Sequence, residues 1–193
     1  MSVQSHVRRA LRLGVVVWLC VASPLWATEP EDPATLEEAF LHWQQGYVLH
    51  ISGNYHEAVA SFRRSITAYP TAEGHTFLGW SLSHLGRVDE AIAECKKAIA
   101  VDPEYGNPYN DIGAYLIELG KADEAVPWLE KAMGAKRYCC YQYPHANRGR
   151  IHLMKGQLEE AKRAFDRALT YDPGYLPALQ GLRLIEQYEG TAL

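Results

Sequence analysis

The sequence predicts an all-α solenoid of four stacked helix pairs, closed by one unpaired helix at the C-terminal end. Three observations in register predict it. Glycines recur at Gly46, Gly79, Gly113 and Gly149, with spacings of 33, 34 and 36 residues. A second set, Gly53, Gly86, Gly120 and Gly156, keeps the same spacings, as do Ala58, Ala91, Ala125 and Ala161. Four residues beyond each alanine stands Phe62, Cys95, Leu129 or Phe165. A period fixed over four copies decides the architecture, because each copy is one supersecondary unit that buries its apolar face on its neighbours.

The elements follow in order. The first pair is expected at about 34–52 and 54–69, the second at 72–85 and 88–101, the third at 106–119 and 122–134, and the fourth at 144–155 and 157–171. The first glycine of each unit lies inside a helix, where it costs about 1 kcal/mol relative to alanine and so needs a packing reason. That reason is the close approach of a neighbouring helix. The second glycine ends the helix, where a left-handed turn is cheap. Acids then open the second helix at Asp89-Glu90, Asp123-Glu124 and Glu159-Glu160, matching the helix dipole. Pro70, Pro103 and Pro173 close three units, since proline cannot continue a helix. A final stretch, YLPALQGLRLIEQYE at 175–189, puts Leu176, Leu179, Leu182 and Ile185 on one face and is expected to cap the open stack.

The glycine, alanine and closing-proline pattern resembles the tetratricopeptide repeat family, whose period is 34. The resemblance covers about residues 36–175 and implies a right-handed superhelical solenoid with repeats near 39–71, 72–105, 106–141 and 142–175, in a domain spanning 34–189. It also implies that the first helix of each pair lines a concave groove.

The N-terminal end is expected to lie outside this domain. Residues 1–27 carry Arg8, Arg9 and Arg12, then an apolar run ending in Leu-Trp-Ala, the pattern of a secretory signal peptide. The run is short of the ~20 residues a membrane span needs and contains Pro24. Resemblance to a lipoprotein signal would imply a small residue before the cysteine, whereas Leu19 precedes Cys20. Residues 28–33, TEPEDP, read as a disordered acidic leader. A secreted protein is therefore expected, in the bacterial periplasm, with no membrane insertion after cleavage. The net charge is −4, and −7 without the three signal arginines, which argues against nucleic-acid binding through bulk charge.

No catalytic constellation is visible. There is no G-x-S-x-G, phosphate loop or G-x-G-x-x-G, and no haem or zinc motif. The expectation is a non-enzymatic protein with no cofactor and no metal, binding a protein or peptide partner. The first helices should face the groove with Phe40, Trp43, Tyr47 and His50, then Thr76, Phe77, Trp80 and His84, then Asn107, Asn110, Asp111 and Ala114, then Tyr143, Asn147, Arg150 and Met154. Aromatics dominate the N-terminal half and amides the C-terminal half. Trp43, Tyr47 and Trp80 would anchor apolar side chains, with Phe77 beside them in the groove, since aromatics give contact area at low entropy cost. Asn110, Asn147 and Arg150 would hold the partner's main chain or a carboxylate, with Asn107 and Tyr143 as further groove residues. The alternative is that Trp43 or Phe40 packs under the leader and that Asn110 and Asn147 cap or bridge neighbouring helices. Trp43 stands where the family's two-carboxylate clamp has a lysine, so a chaperone-tail role is not expected.

Two further features invite chemistry. His42, His75 and His145 share one repeat position and are read as packing residues, because metal ligands must converge on one ion. KRYCCYQYPH, at 136–145, lengthens the third unit and replaces its closing proline with Arg137. Cys139 and Cys140 are adjacent, which strains an ordinary disulfide. The stretch is read as an irregular joint that widens the groove beside Tyr143 and Asn147. The expected function is an envelope scaffold or adaptor. An assembly factor similar to type IV pilus pilotin proteins is the alternative, and a redox or metal-handling role for Cys139 and Cys140 a further one.

Overall fold

The computed structural model describes residues 33–191. The expected signal peptide and all of the leader before Pro33 lie outside the described residues. Among these residues there are nine α-helices and no strand: α1 (Pro33–Ile51), α2 (Tyr55–Ala68), α3 (Ala72–His84), α4 (Val88–Val101), α5 (Asn107–Glu118), α6 (Ala122–Gly134), α7 (Gln142–Met154), α8 (Leu158–Tyr171) and α9 (Leu176–Thr191). Consecutive helices pack as pairs, and each pair stacks on the next. The architecture is the all-α solenoid that the period predicts.

The turn inside each pair is the same. Gly53, Gly86, Gly120 and Gly156 have φ between 69° and 79°, the left-handed region. At the second pair the Gly86 N–H donates to the Ser83 carbonyl at 2.9 Å and the Arg87 N–H to the Leu82 carbonyl at 2.9 Å. These two hydrogen bonds satisfy carbonyls left open at the helix end.

Within each pair the first glycine makes room for the large residue of the second helix. A Cβ on Gly149 would lie 2.5 Å from the Phe165 ring, and one on Gly46 would lie 2.8 Å from Phe62. One apolar core runs from α2 to α7 through Phe62, Leu78, Leu82, Cys95, Ile112, Leu129 and Ile151. A second joins α7, α8 and α9 through Ala146, Phe165, Ala168, Ala178 and Ile185.

The cap helix corrects one expectation. Leu176, expected on its buried face, is 62% exposed, while Ala178 and Ile185 are buried. The contact uses small residues because Phe165 already fills the space: a Cβ on Gly181 would run into its ring.

The link between α6 and α7 is tied to the loop before α5. The Arg137 N–H donates to the Glu104 carbonyl at 2.8 Å, and the Gly106 N–H to the Arg137 carbonyl at 3.1 Å. The Arg137 guanidinium pairs with Glu73 at 2.5 Å and with Asp102, and lies over the Tyr105 ring. The residue replacing the closing proline thus ties the end of the third unit to the second unit and to the start of the third. Because these pairs are solvent-exposed, Arg137→Ala is expected to lower unfolding free energy by about 1 kcal/mol, measured by urea titration.

Candidate functional site

First helices touch one another from pair to pair (α1–α3, α3–α5, α5–α7, α7–α9), whereas among the described residues α2, α4, α6 and α8 make no such contacts. The first helices therefore lie on the inner side of the curve.

The inner side begins as a run of rings. Trp43 stacks on Tyr47 with centroids 5.5 Å apart and meets the edge of Phe77 at 5.1 Å. Tyr47 meets Phe77 at 5.6 Å, and Phe77 meets Trp80 at 4.5 Å. The four aromatics named from the sequence thus form one contiguous cluster, with Phe40 stacked on Trp43. Trp43 and Phe77 also pack on the main core. Phe40 is 55% exposed and Tyr47 40% exposed, so the outer rings remain open to a partner. A cavity of about 250 Å³ lies against Leu36, Phe40 and Trp43 at the N-terminal end of the run.

Beyond Trp80 the surface turns polar through a relay of hydrogen bonds. The Trp80 Nε1–H donates to Asp111 Oδ2. Asn110 Nδ2 donates to Asp111 Oδ1 at 3.4 Å, Asn147 Nδ2 to Asn110 Oδ1 at 3.2 Å, and Arg150 Nη1 to Asn147 Oδ1 at 3.3 Å. The relay joins α3, α5 and α7. Asn110 and Asn147 are buried and use their amides on each other, so they bridge helices and position their neighbours. Arg150 is exposed at the end of the relay.

Asp111 is the hub, and the sequence placed it only on the groove face. Its signal is an acid within a helix, two residues before Gly113, one of the close-approach glycines. Burial pushes its carboxyl up to about 7, against the opposing hydrogen bonds from Trp80 and Asn110.

Asn107 and Tyr143 reach the same place. With Trp80, Asn110, Asp111, Tyr138 and Cys140 they line a cavity of about 260 Å³. Tyr138 comes from the link, and its phenol is buried without a hydrogen-bond partner. Sequence reasoning read it only as a joint residue. Gly106 makes its placement possible, since a Cβ there would lie 2.5 Å from Tyr138.

The histidines that share a repeat position do not converge. His75 is buried against Glu94, with Nδ1 2.7 Å from Oε2, while His42 lies 3.8 Å from Glu38 and His145 stacks on Tyr171. Among the described residues no group of three or more His, Cys, Asp or Glu is placed to hold a metal ion. The Cys139 and Cys140 sulfurs lie 3.0 Å apart as free thiols. Burial, then the hydrogen bond to Cys139, pushes the Cys140 thiol up to about 11. A thiol in that range is a weak nucleophile at neutral pH. Alkylation of Cys140 by iodoacetamide is therefore expected to be slow at pH 7 and to accelerate toward pH 11, followed by mass spectrometry of the tryptic peptide.

Comparison with known proteins agrees with this geometry. The TPR repeat-containing thioredoxin TTL4 of Arabidopsis thaliana is 32% identical over 100 residues, covering 51% of this chain and 14% of its own. The chain thus spans a small part of that relative. PilF of Pseudomonas aeruginosa has a similar fold, with a TM-score of 0.73 at 21% identity, covering 82% of this chain and 72% of its own. PilW, described as a widely conserved type IV pilus biogenesis factor, gives 0.72 at 20% identity, covering 79% and 70%. No helix among the described residues is long and apolar enough to cross a membrane. Family models for the tetratricopeptide repeat match residues 44–108, 109–137 and 143–175, and with the four-pair solenoid this places the chain in the tetratricopeptide repeat family.

Proposed function

We propose that this chain is a non-enzymatic interaction scaffold of the cell envelope, holding an extended peptide segment or a partner helix along its inner surface. The observation that carries the reading is continuity. Rings from Phe40 to Trp80 run without a break into the Asp111–Asn110–Asn147–Arg150 relay. Such a strip offers apolar anchors at one end and directional polar contacts at the other, the composition of an interaction surface. Residues 1–27 as a secretory signal, 28–33 as a leader and 34–189 as the binding domain put the scaffold in the periplasm on this reading.

A narrower reading, an assembly factor for an envelope secretion or pilus complex, is favoured by the likeness to PilF and PilW. Affinity capture from envelope extracts tests both. The wild type is expected to retain a defined partner, and the double variant Tyr143→Ala, Arg150→Ala to lose it while keeping its helical circular dichroism. Equal capture by the two proteins would overturn the groove assignment. Pilus or secretion subunits in the captured fraction would support the narrower reading.

A further inference from the structure

The cavity at the middle of the groove has the chemistry of a cation receptor. Asp111 is only 8% exposed, and both its oxygens accept hydrogen bonds from neutral donors, Trp80 and Asn110. Among the described residues no Lys, Arg or His forms an ion pair with it. A buried carboxylate without a countercharge is costly, and it is satisfied when a cation arrives. The second acceptor is the Tyr138 phenol oxygen, on a side chain 8% exposed, which has no partner and lines the same cavity. Trp80 and Tyr143 supply aromatic faces to the wall, and such faces attract ammonium and guanidinium groups. A water needs only ~10–15 Å³ of such space, so a cavity of about 260 Å³ holds a whole side chain.

We propose that this cavity is a specificity pocket for one basic side chain, lysine or arginine, of the segment bound in the groove. The inference rests on the groove reading and adds the residue class that the groove selects. The charged head meets Asp111 and Tyr138, and the alkyl stem runs between Trp80 and Tyr143. Burying a paired charge here discriminates strongly, because a neutral side chain would leave the carboxylate without a countercharge and the phenol without a partner.

Binding is linked to protons. Of the groups around Asp111, the Cys95 thiol on α4, Tyr115 on α5, Tyr138 and Cys140 on the link, and Tyr143 on α7 are all raised by burial and stay neutral through pH 8. Arg150 lies at the far end of the relay, two hydrogen bonds beyond Asn110. His50, 6.2 Å from Trp80 between ring centroids, is lowered by burial and by His84. A cation therefore displaces the Asp111 proton below pH 7 and finds the carboxylate ready above it.

The test uses N-acetyl-lysine N-methylamide, the matching arginine compound and the norleucine compound, titrated into the purified protein. The readout is the NMR signal of the Trp80 indole N–H, assigned by its loss in Trp80→Phe. The basic compounds are expected to shift this signal saturably, about tenfold more tightly at pH 8 than at pH 6, following the ionised fraction of Asp111. The norleucine compound is expected to leave it unmoved. Asp111→Asn, which keeps an oxygen for the Trp80 N–H, is expected to weaken the basic compounds at least tenfold and to remove the pH dependence. Tyr138→Phe, which removes only the hydroxyl, is expected to weaken them severalfold. Equal binding of the norleucine compound, or unchanged binding by Asp111→Asn, would overturn the pocket. If no compound moves Trp80 while the wild type still captures its envelope partner, the pocket falls and the groove reading stands. If capture also fails, both fall.

Discussion

Phe165→Ala is expected to lower the unfolding free energy by about 3–5 kcal/mol, the largest loss for any single side chain in the C-terminal half, as read by urea denaturation. The ring is 1% exposed and sits between two glycines. A Cβ on Gly149 of α7 would reach it at 2.5 Å, and a Cβ on Gly181 of α9 would run into its other side. Deleting it opens a void against three helices at once, and a void shared by three rigid elements collapses poorly. The reciprocal experiment separates this account from a general loss of core area. Gly149→Ala forces a methyl into the ring and is expected to cost about 1–3 kcal/mol. Gly79→Ala, at the equivalent position of the second pair, meets only the Ala91 carbonyl oxygen at 3.2 Å and Cys95 Sγ at 3.3 Å. Its steric cost is offset by the ~1 kcal/mol that alanine gains over glycine in a helix, so it should fall near wild type. Equal losses for Gly79→Ala and Gly149→Ala would remove the packing explanation for the period.

The second large effect concerns pH. Asp111 ionises near 7 in the folded protein against an ordinary value of 3.8, because its burial disfavours the charge. The folded state thus holds this proton more tightly than the unfolded chain. The contribution is fully present below about pH 4 and is lost as pH rises through 7. The unfolding free energy of the wild type relative to Asp111→Asn should fall between pH 4 and pH 8 by an amount on the order of a few kcal/mol, since each pH unit separating the folded and unfolded ionisations is worth about 1.4 kcal/mol. Urea titrations of both proteins at pH 4.5, 6 and 8 measure it. Parallel profiles would mean that Asp111 is not the group that titrates.

How much of this was legible in the sequence follows from what each residue does. The helix pairs were legible because their markers are local or nearly so. Gly86 must adopt φ of 74°, and Gly149 must leave room for a ring sixteen positions later, so each constrains the chain where it stands. The aromatic run was legible because Tyr47 and Trp80 share one repeat position, 33 residues apart, and Trp43 and Phe77 stand within one turn of them on the same two first helices. The polar relay was not. Trp80 and Asp111 are 31 residues apart, and Asn110 and Asn147 are 37 apart. The period brings them to neighbouring units, but it does not say whether an amide turns toward solvent or toward the next amide. On α9 the expected face holds at Leu182 and Ile185 but not at Leu176: leucine spacing marks an apolar stripe, whereas beside Phe165 the contact also takes the small residues Ala178 and Gly181. Tyr138 was hidden in an irregular joint, where no periodicity applies.

The contact pattern between units has a mechanical consequence. Successive pairs meet mainly where the second helix of one packs on the first helix of the next, with lighter contacts between first helices, while the second helices of neighbouring pairs stay apart among the described residues. Because neighbouring second helices do not touch, fanning them apart or together breaks no contact between them, so the array is softer in that direction than along its stack. Exchanging a thin extended strand for a thicker helix in the groove then requires only a small rotation of each unit, distributed along the array. An array built this way behaves as a shallow spring, and tension applied across its ends would change its grip before it unfolded any unit.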